Sequence, residues 1–380
     1  MDRIIDIYNH MLNEDNGEKV IYYKTNLVHN TFDELDFSDI KKYFERGGKN
    51  NACISKELED YFSASQRKDE TDRVKHMFSI YLFGIYCYDH IKPINDAFNN
   101  LIENKIWKNT KENGIPNKDE RLRDDFLYLW FLTALYHDMG YVYESKGDND
   151  NSLYSFIIER KSMMSNDNLG FQPVSGIPRN IQLAAKEYFW HKRNNILFYE
   201  HLCTDHGFAG GVNLYATLKK LHQEKSDESS RPVDTGGLLF GRSIFQWYNV
   251  PSVWAIICHN IWLAEGGTGR ATKYEALGLD KLIYFKGKSP IKLKDHPLLF
   301  LLDFVDTVDP YKRFETSCDG IFISCNDNEL SLSLDHGCSA SCVSCKYEET
   351  TLSCLSSDLD YLKSSNFQVN VADNTITFSF

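Results

Sequence analysis

A mainly helical protein with a small C-terminal α+β appendage is predicted by three features of the sequence. Apolar stretches with helical spacing run through the middle of the chain. A strictly alternating apolar pattern begins only after about Phe314. Aromatic residues are plentiful, with Phe 24, Tyr 22 and Trp 6 making 14% of 380 residues. Most of those rings need burial, so a sizeable core is available. The hydrophobic fraction of 42% and charged fraction of 25% are close to globular averages and exclude extensive disorder. At roughly 150 residues per domain, the length suits two or three domains, or one large domain with additions.

Residues 1–70 carry short helical patterns broken by polar stretches at Asn13–Lys19 and Gly47–Asn51, and read as a helical N-terminal extension. A helical body follows over 71–315. Its first helix is Asp72–Tyr88, apolar on nearly every side and therefore central. Lys108–Asp125 is polar and turn-rich, with Gly114 and Pro116 as breakers. Asp125–Tyr143 is a second buried helix, and helical patterns resume at Asn180–His191 and Asp205–Leu221. His222–Gly237 reads as a linker. Pro251 and Ser252 suit a helix start, as does Pro297 before LLFLLDFVDTVD, which stops at Pro310.

The appendage, 316–380, alternates with period two in IFISC, ELSLSL and FQVNVADNTITFSF. These are strands, with Asp373-Asn374 as a hairpin turn and one helix-like stretch at Ser357–Lys363. A small sheet buries one face only, so it needs the helical body or a second copy of the chain as cover. A homo-oligomer is compatible with that need. The appendage is expected to lie outside any active centre.

Lys plus Arg is 42 and Asp plus Glu is 54, a net charge of −12. Such a chain lacks the electrostatic footprint of a general nucleic-acid coat or a membrane-surface protein. No apolar run approaches the ~20 residues that span a bilayer. The first residues, with Asp2 and Asp6, do not read as a signal peptide. Ten Cys are present; Cys87, Cys203 and Cys258 sit in apolar helical patterns and read as small buried hydrophobes. A reducing cytoplasm is the expected compartment.

His76, His137, Asp138, His206, His259 and Asp303 each lie in or near the start of an apolar helix. Alone, each is explained as a satisfied core histidine, a structural acceptor or a cap. Together they pose a problem of charge, because buried carboxylates need a cation or strong donors. Imidazole nitrogen and carboxylate oxygen are ligands for Zn, Mn, Fe, Ni or Co, with Mg held mainly by oxygen. Such a divalent ion would neutralise the buried acids. Cys338, Cys342 and Cys345, with His336 and Cys354 nearby, supply enough ligands for a structural Zn. They lack a paired CxxC pattern and lie among serines, so loosely ordered cysteines are the expectation there.

In order, the His of RVKH, the doublet of YHDMG, DHGFAGG, CHN and LLDFVD resemble the motifs of the HD-domain superfamily of metal-dependent phosphohydrolases. The resemblance covers about Thr71 to Arg313. It implies an HD-domain-like all-α body and a shared metal set of His76, His137, Asp138 and Asp303. His206 and His259 match the extra histidines of two-metal members, where Asp138 would bridge both ions. His191 or His201 is an alternative to His206; Gly207, Gly210 and Gly211 favour His206 by allowing close helix approach.

The implied chemistry is hydrolysis of a phosphomonoester or phosphodiester by metal-activated water, in a small and nucleotide-like substrate. Two ions about 3.5–4 Å apart bind a phosphoryl oxygen and lower the pKa of a bridging water. Candidate substrate contacts are Arg73, Tyr141, Lys312 and Arg313. Many two-metal members read His-Asp-x-Gly-Lys, whereas Tyr141 stands here in place of the Lys. The GYP signature of cyclic-di-GMP phosphodiesterases, the His-rich doublet region of dNTP triphosphohydrolases and Walker motifs are all absent. A regulatory protein that senses a nucleotide and a single-strand nuclease are the alternative functions.

Overall fold

The computed structural model describes residues 12–15, 18–23, 68–110, 117–141, 245–259, 291–309, 320–335, 352–372 and 375–380, and within 206–218 the residues 206, 207, 210, 211, 214, 215, 217 and 218. Helix predominates among them, with one antiparallel sheet formed mainly by the C-terminal region. None of the described helices is long and apolar enough to cross a membrane. The chain divides into two compact units, one of Met1–Ala97 with Asp303–Phe380 and one of Phe98–Leu302. The sequence suggests boundaries at residues 70 and 315; the first compact unit groups N-terminal residues with the C-terminal sheet.

The first unit contains α1 (Lys68–His90) and the sheet. In α1 every residue from His76 to Tyr88 is buried, which follows from a sequence with apolar side chains on all faces. The sheet strands are β1 (Leu12–Asp15), β2 (Glu18–Tyr23), β3 (Gly320–Asn326), β4 (Glu329–Asp335), β5 (Gln368–Ala372) and β6 (Thr375–Ser379). Their order is β1-β2-β3-β4-β6-β5, antiparallel throughout. The period-two reading holds for β3 to β6. It differs within residues 1–70, read as helical, where β1 and β2 pair antiparallel and extend the sheet beside β3.

Register explains the inner face. Ile323 lies opposite Leu332, Leu332 opposite Ile376 and Leu330 opposite Phe378, and all five are buried. The other face carries hydroxyl pairs, Ser331 with Thr377 at 3.1 Å and Ser333 with Thr375 at 3.0 Å. The short helix before the last hairpin spans 352–358, earlier than the expected Ser357–Lys363.

The second unit is built on α3 (Lys118–Tyr136), following α2 (Lys92–Leu101), which begins in the first unit. Helix α3 begins seven residues before the expected Asp125, in a segment whose charges read as a turn. Asn117 starts it with φ 51°, a left-handed conformation that Asn tolerates. Two π-helical turns, Ile102–Trp107 and Phe245–Asn249, flank the core, and the second runs directly into α4 (Val250–His259). Helix α5 (Pro297–Val308) starts at its proline as expected and passes from the second unit into the first at Asp303.

Candidate metal centre

Within the second unit, α3 and α4 deliver two histidines by the same local device. His137 stands at the C-terminal end of α3 and its Nδ1 lies 2.7 Å from the carbonyl oxygen of Ala134. His259 ends α4 and its Nδ1 lies 2.7 Å from the carbonyl oxygen of Ile256. A carbonyl oxygen only accepts, so each Nδ1 carries the proton and donates. In the neutral imidazole the lone pair then sits on Nε2, the tautomer that ligates a metal. The rings meet edge to face with centroids 5.3 Å apart.

Asp138 follows in the turn 137–140 and is buried. Its Oδ1 lies 3.2 Å from His137 Nε2 and 3.1 Å from His206 Nε2. Ligand atoms of His137, Asp138 and His259 all fall within 4.8 Å of one another, and the His206 ring lies 5.3 Å from that of His259. Donors held 2.0–2.2 Å from a shared ion are themselves roughly 3 Å apart, so these spacings suit adjacent ligands of one ion.

Glycines make the convergence possible. A Cβ on Gly207 would lie 2.6 Å from His259 Cε1, and one on Gly210 would lie 2.9 Å from the Tyr136 carbonyl oxygen. A Cβ on Gly140 would overlap the His206 carbonyl. The described residues around His206 (206, 207, 210, 211, 214, 215, 217 and 218) are helical and buried. The donor set fits a divalent ion: two imidazoles and one carboxylate within 4.8 Å of one another, a third imidazole beside the carboxylate, and a buried setting. The negative ends of the α3 and α4 dipoles also point at it, since both histidines stand at helix C-termini.

Tyr141 stacks on His206 with ring centroids 3.7 Å apart and an interplanar angle of 17°. Its ring thus covers one face of a candidate ligand. Arg73 lies in α1, one turn before His76. Lys312, Arg313, His191, His201, His336, Cys338, Cys342 and Cys345 lie outside the described residues.

The first unit holds buried polar contacts around His76. His76 Nδ1 lies 2.7 Å from Asp309 Oδ2 and its Nε2 lies 3.0 Å from Asp306 Oδ1. Ser79, one turn along α1, donates to Asp309 Oδ1 at 2.5 Å. Burial alone would lower the His76 pKa, but hydrogen bonds to Asp306 and Asp309 and their charges outweigh it and push it up to about 9. Asp303 is buried on α5, and its Oδ2 has no hydrogen-bond partner among the described residues. Burial first, and the Asp306 charge second, hold its carboxyl well above the usual range. Tyr361, from the C-terminal region, lies close to Asp303 and contacts Thr307 Oγ1 through its hydroxyl at 3.4 Å.

Asp306, Asp309 and Ser79 were not singled out in the sequence. The two carboxylates had a signal in spacing: with Asp303 they recur every three residues through the end of α5 and just past it, whereas Ser79 had none. No family model, curated protein or solved structure matches the chain.

Proposed function

We propose that the chain is an HD-type metal-dependent phosphohydrolase that cleaves a phosphomonoester or phosphodiester, in a nucleotide-like substrate, with metal-activated water. One observation carries the reading: His137, Asp138 and His259 bring ligand atoms within 4.8 Å of one another among buried side chains, and His206 Nε2 reaches the same Asp138 oxygen. These residues would hold the ion. When bound, a divalent ion there supplies Lewis acidity and a water of lowered pKa. The chain supplies the rest. Backbone carbonyls of Ala134 and Ile256 set the imidazole tautomers. Asp138 balances the cation's charge between two rings, and the surrounding apolar side chains keep the centre dry, which strengthens its electrostatics.

Two features bear on substrate contacts. Tyr141 offers a hydroxyl and a ring but no charge, in place of the Lys of many relatives of that pattern. The same feature is the one observation in favour of a non-catalytic, nucleotide-sensing protein. Hydrolysis of bis-p-nitrophenyl phosphate with added Mn separates the two. The enzyme reading predicts release of p-nitrophenol that chelation abolishes and that His137→Ala reduces at least ~100-fold, the scale lost with an essential catalytic interaction. Activity equal in the variant and unaffected by chelator would refute it.

A further inference from the structure

Helices α3 and α4 run side by side in the same direction, and a series of buried polar contacts joins them at an almost constant offset. Tyr248 donates its hydroxyl to Asp125 Oδ2 at 2.9 Å, across 123 residues. Tyr128 donates to Asn249 Oδ1 at 2.6 Å, across 121. Ser252 donates to the Leu129 carbonyl at 3.1 Å, again across 123. The last rung is the His137–His259 ring contact at 5.3 Å. Asp125 is further anchored by Trp107 Nε1 at 2.7 Å and paired with Arg121 Nε at 3.0 Å, so its carboxylate joins both π-helical turns to α3. All four of Asp125, Tyr128, Asn249 and Ser252 are buried.

We infer that this polar ladder sets the axial register of α4 on α3 and so the spacing of the His137 and His259 nitrogens; Tyr128, Asn249, Ser252 and Asp125 are positioning residues for the metal centre. The inference rests on the metal reading. Its physical basis is a contrast of tolerances. Most other side chains along α3 and α4 are apolar, and apolar packing is non-directional, so a small slide costs little. A slip of one residue, however, moves a side chain 1.5 Å along the helix and roughly 100° around it. Metal ligands tolerate about 0.2 Å. Buried hydrogen bonds close that gap, because a slipped register strands donors and acceptors that have no water to turn to. The ladder begins about 18 Å from the histidines at 1.5 Å per residue, outside contact with any ion.

The test uses the full chain carrying Tyr128→Phe and Ser252→Ala together, which removes two hydroxyls and no ligand. Co(II) serves as the probe, read by its visible absorption bands and by titration. We expect Co(II) affinity to fall ~10–100-fold, the scale of lost supporting contacts at metal sites, with shifted bands. In the metal-free chain, the imidazole nitrogen resonances of His137 and His259 should move as well. A purely structural role would lower thermal stability but leave the bands, the affinity and the resonances at wild-type values, and that result would overturn the inference. Should the double variant fail to fold, Tyr248→Phe removes a single donor from Asp125 and is read in the same way. If the wild type binds no Co(II), the metal reading fails, and the metal-free resonances alone decide the ladder.

Discussion

Asp303 carries a cost that its described neighbours do not offset. Its buried carboxyl is pushed well up, so the folded chain holds a proton that the unfolded chain releases above ~3.9. A raised folded pKa contributes stability at low pH that is lost as pH rises. Asp303→Asn removes that loss, and should stabilise the metal-free chain near pH 7 by about 1–3 kcal/mol, the scale of a buried unsatisfied polar group. Thermal melts with chelator present check this; an unchanged or lower Tm would mean that Asp303 is satisfied when ionised. His76 has the same sign in a different window. Its folded pKa of about 9 exceeds the unfolded ~6.5, so its contribution is full below pH 6.5 and disappears as pH rises through 9. The metal-free Tm should fall across that window, and His76→Asn should flatten the fall. Gly207 sets a third limit. Gly207→Ala places a methyl 2.6 Å from the His259 ring and 2.7 Å from the Ile256 carbonyl oxygen that holds it, so ring and helix must shift and metal retention should drop while the other three ligands remain. Retention at the wild-type level would show that the ring has room to move.

Helix ends, rather than helix centres, carry the candidate ligands His137 and His259. Helices α3 and α4 were legible from dense apolar runs ending in His, and the approach of the His206 segment was legible in its glycines. The start of α3 was not, because its charges are those of a solvated first turn, which has the composition of a loop. Nor were the π-helical turns, since one extra residue per turn leaves no mark on a short apolar pattern. Strands β3 to β6 were legible because one face is buried and the other is wet, which writes period two into the sequence. Strands β1 and β2 escaped because Leu12–Asp15 is four mostly polar residues; it acquires strand character only through pairing. The sheet also grips α5. The Phe304 ring meets Phe378, Phe367 and Phe380 nearly at right angles with centroids 5.1, 5.7 and 5.3 Å away. Phe378→Ala should cost about 3–5 kcal/mol, the range for a buried Phe. Equilibrium denaturation measures it, and a loss under 1 kcal/mol would show that the cluster adds little.

For the molecule, the grouping of the C-terminal residues matters. They share a compact unit with α1 and with Asp303, and Tyr361 from that segment lies beside Asp303. The N-terminal hairpin covers the edge of β3. Deleting residues 1–24 should therefore expose the β3 backbone and promote self-association through the open edge. Light scattering checks this; a monomeric deletion variant of unchanged Tm would show that the edge needs no cover. The negative net charge and the buried His/Asp clusters were both readable from residue types alone. How His76 is held was not, because its partners Asp306 and Asp309 lie more than 200 residues away in sequence.

Metal content is the measurement that bears most directly on the convergence of His137, Asp138, His206 and His259. Full-length protein purified without chelator should contain one to two transition-metal ions per chain by elemental analysis. Asp138→Ala should lose nearly all of that metal and His206→Ala less, because Asp138 Oδ1 stands between two imidazoles whereas His206 contributes one nitrogen. Wild-type protein without metal, and without uptake of added Mn, Zn or Co, would mean that these four residues form an ordinary buried polar cluster.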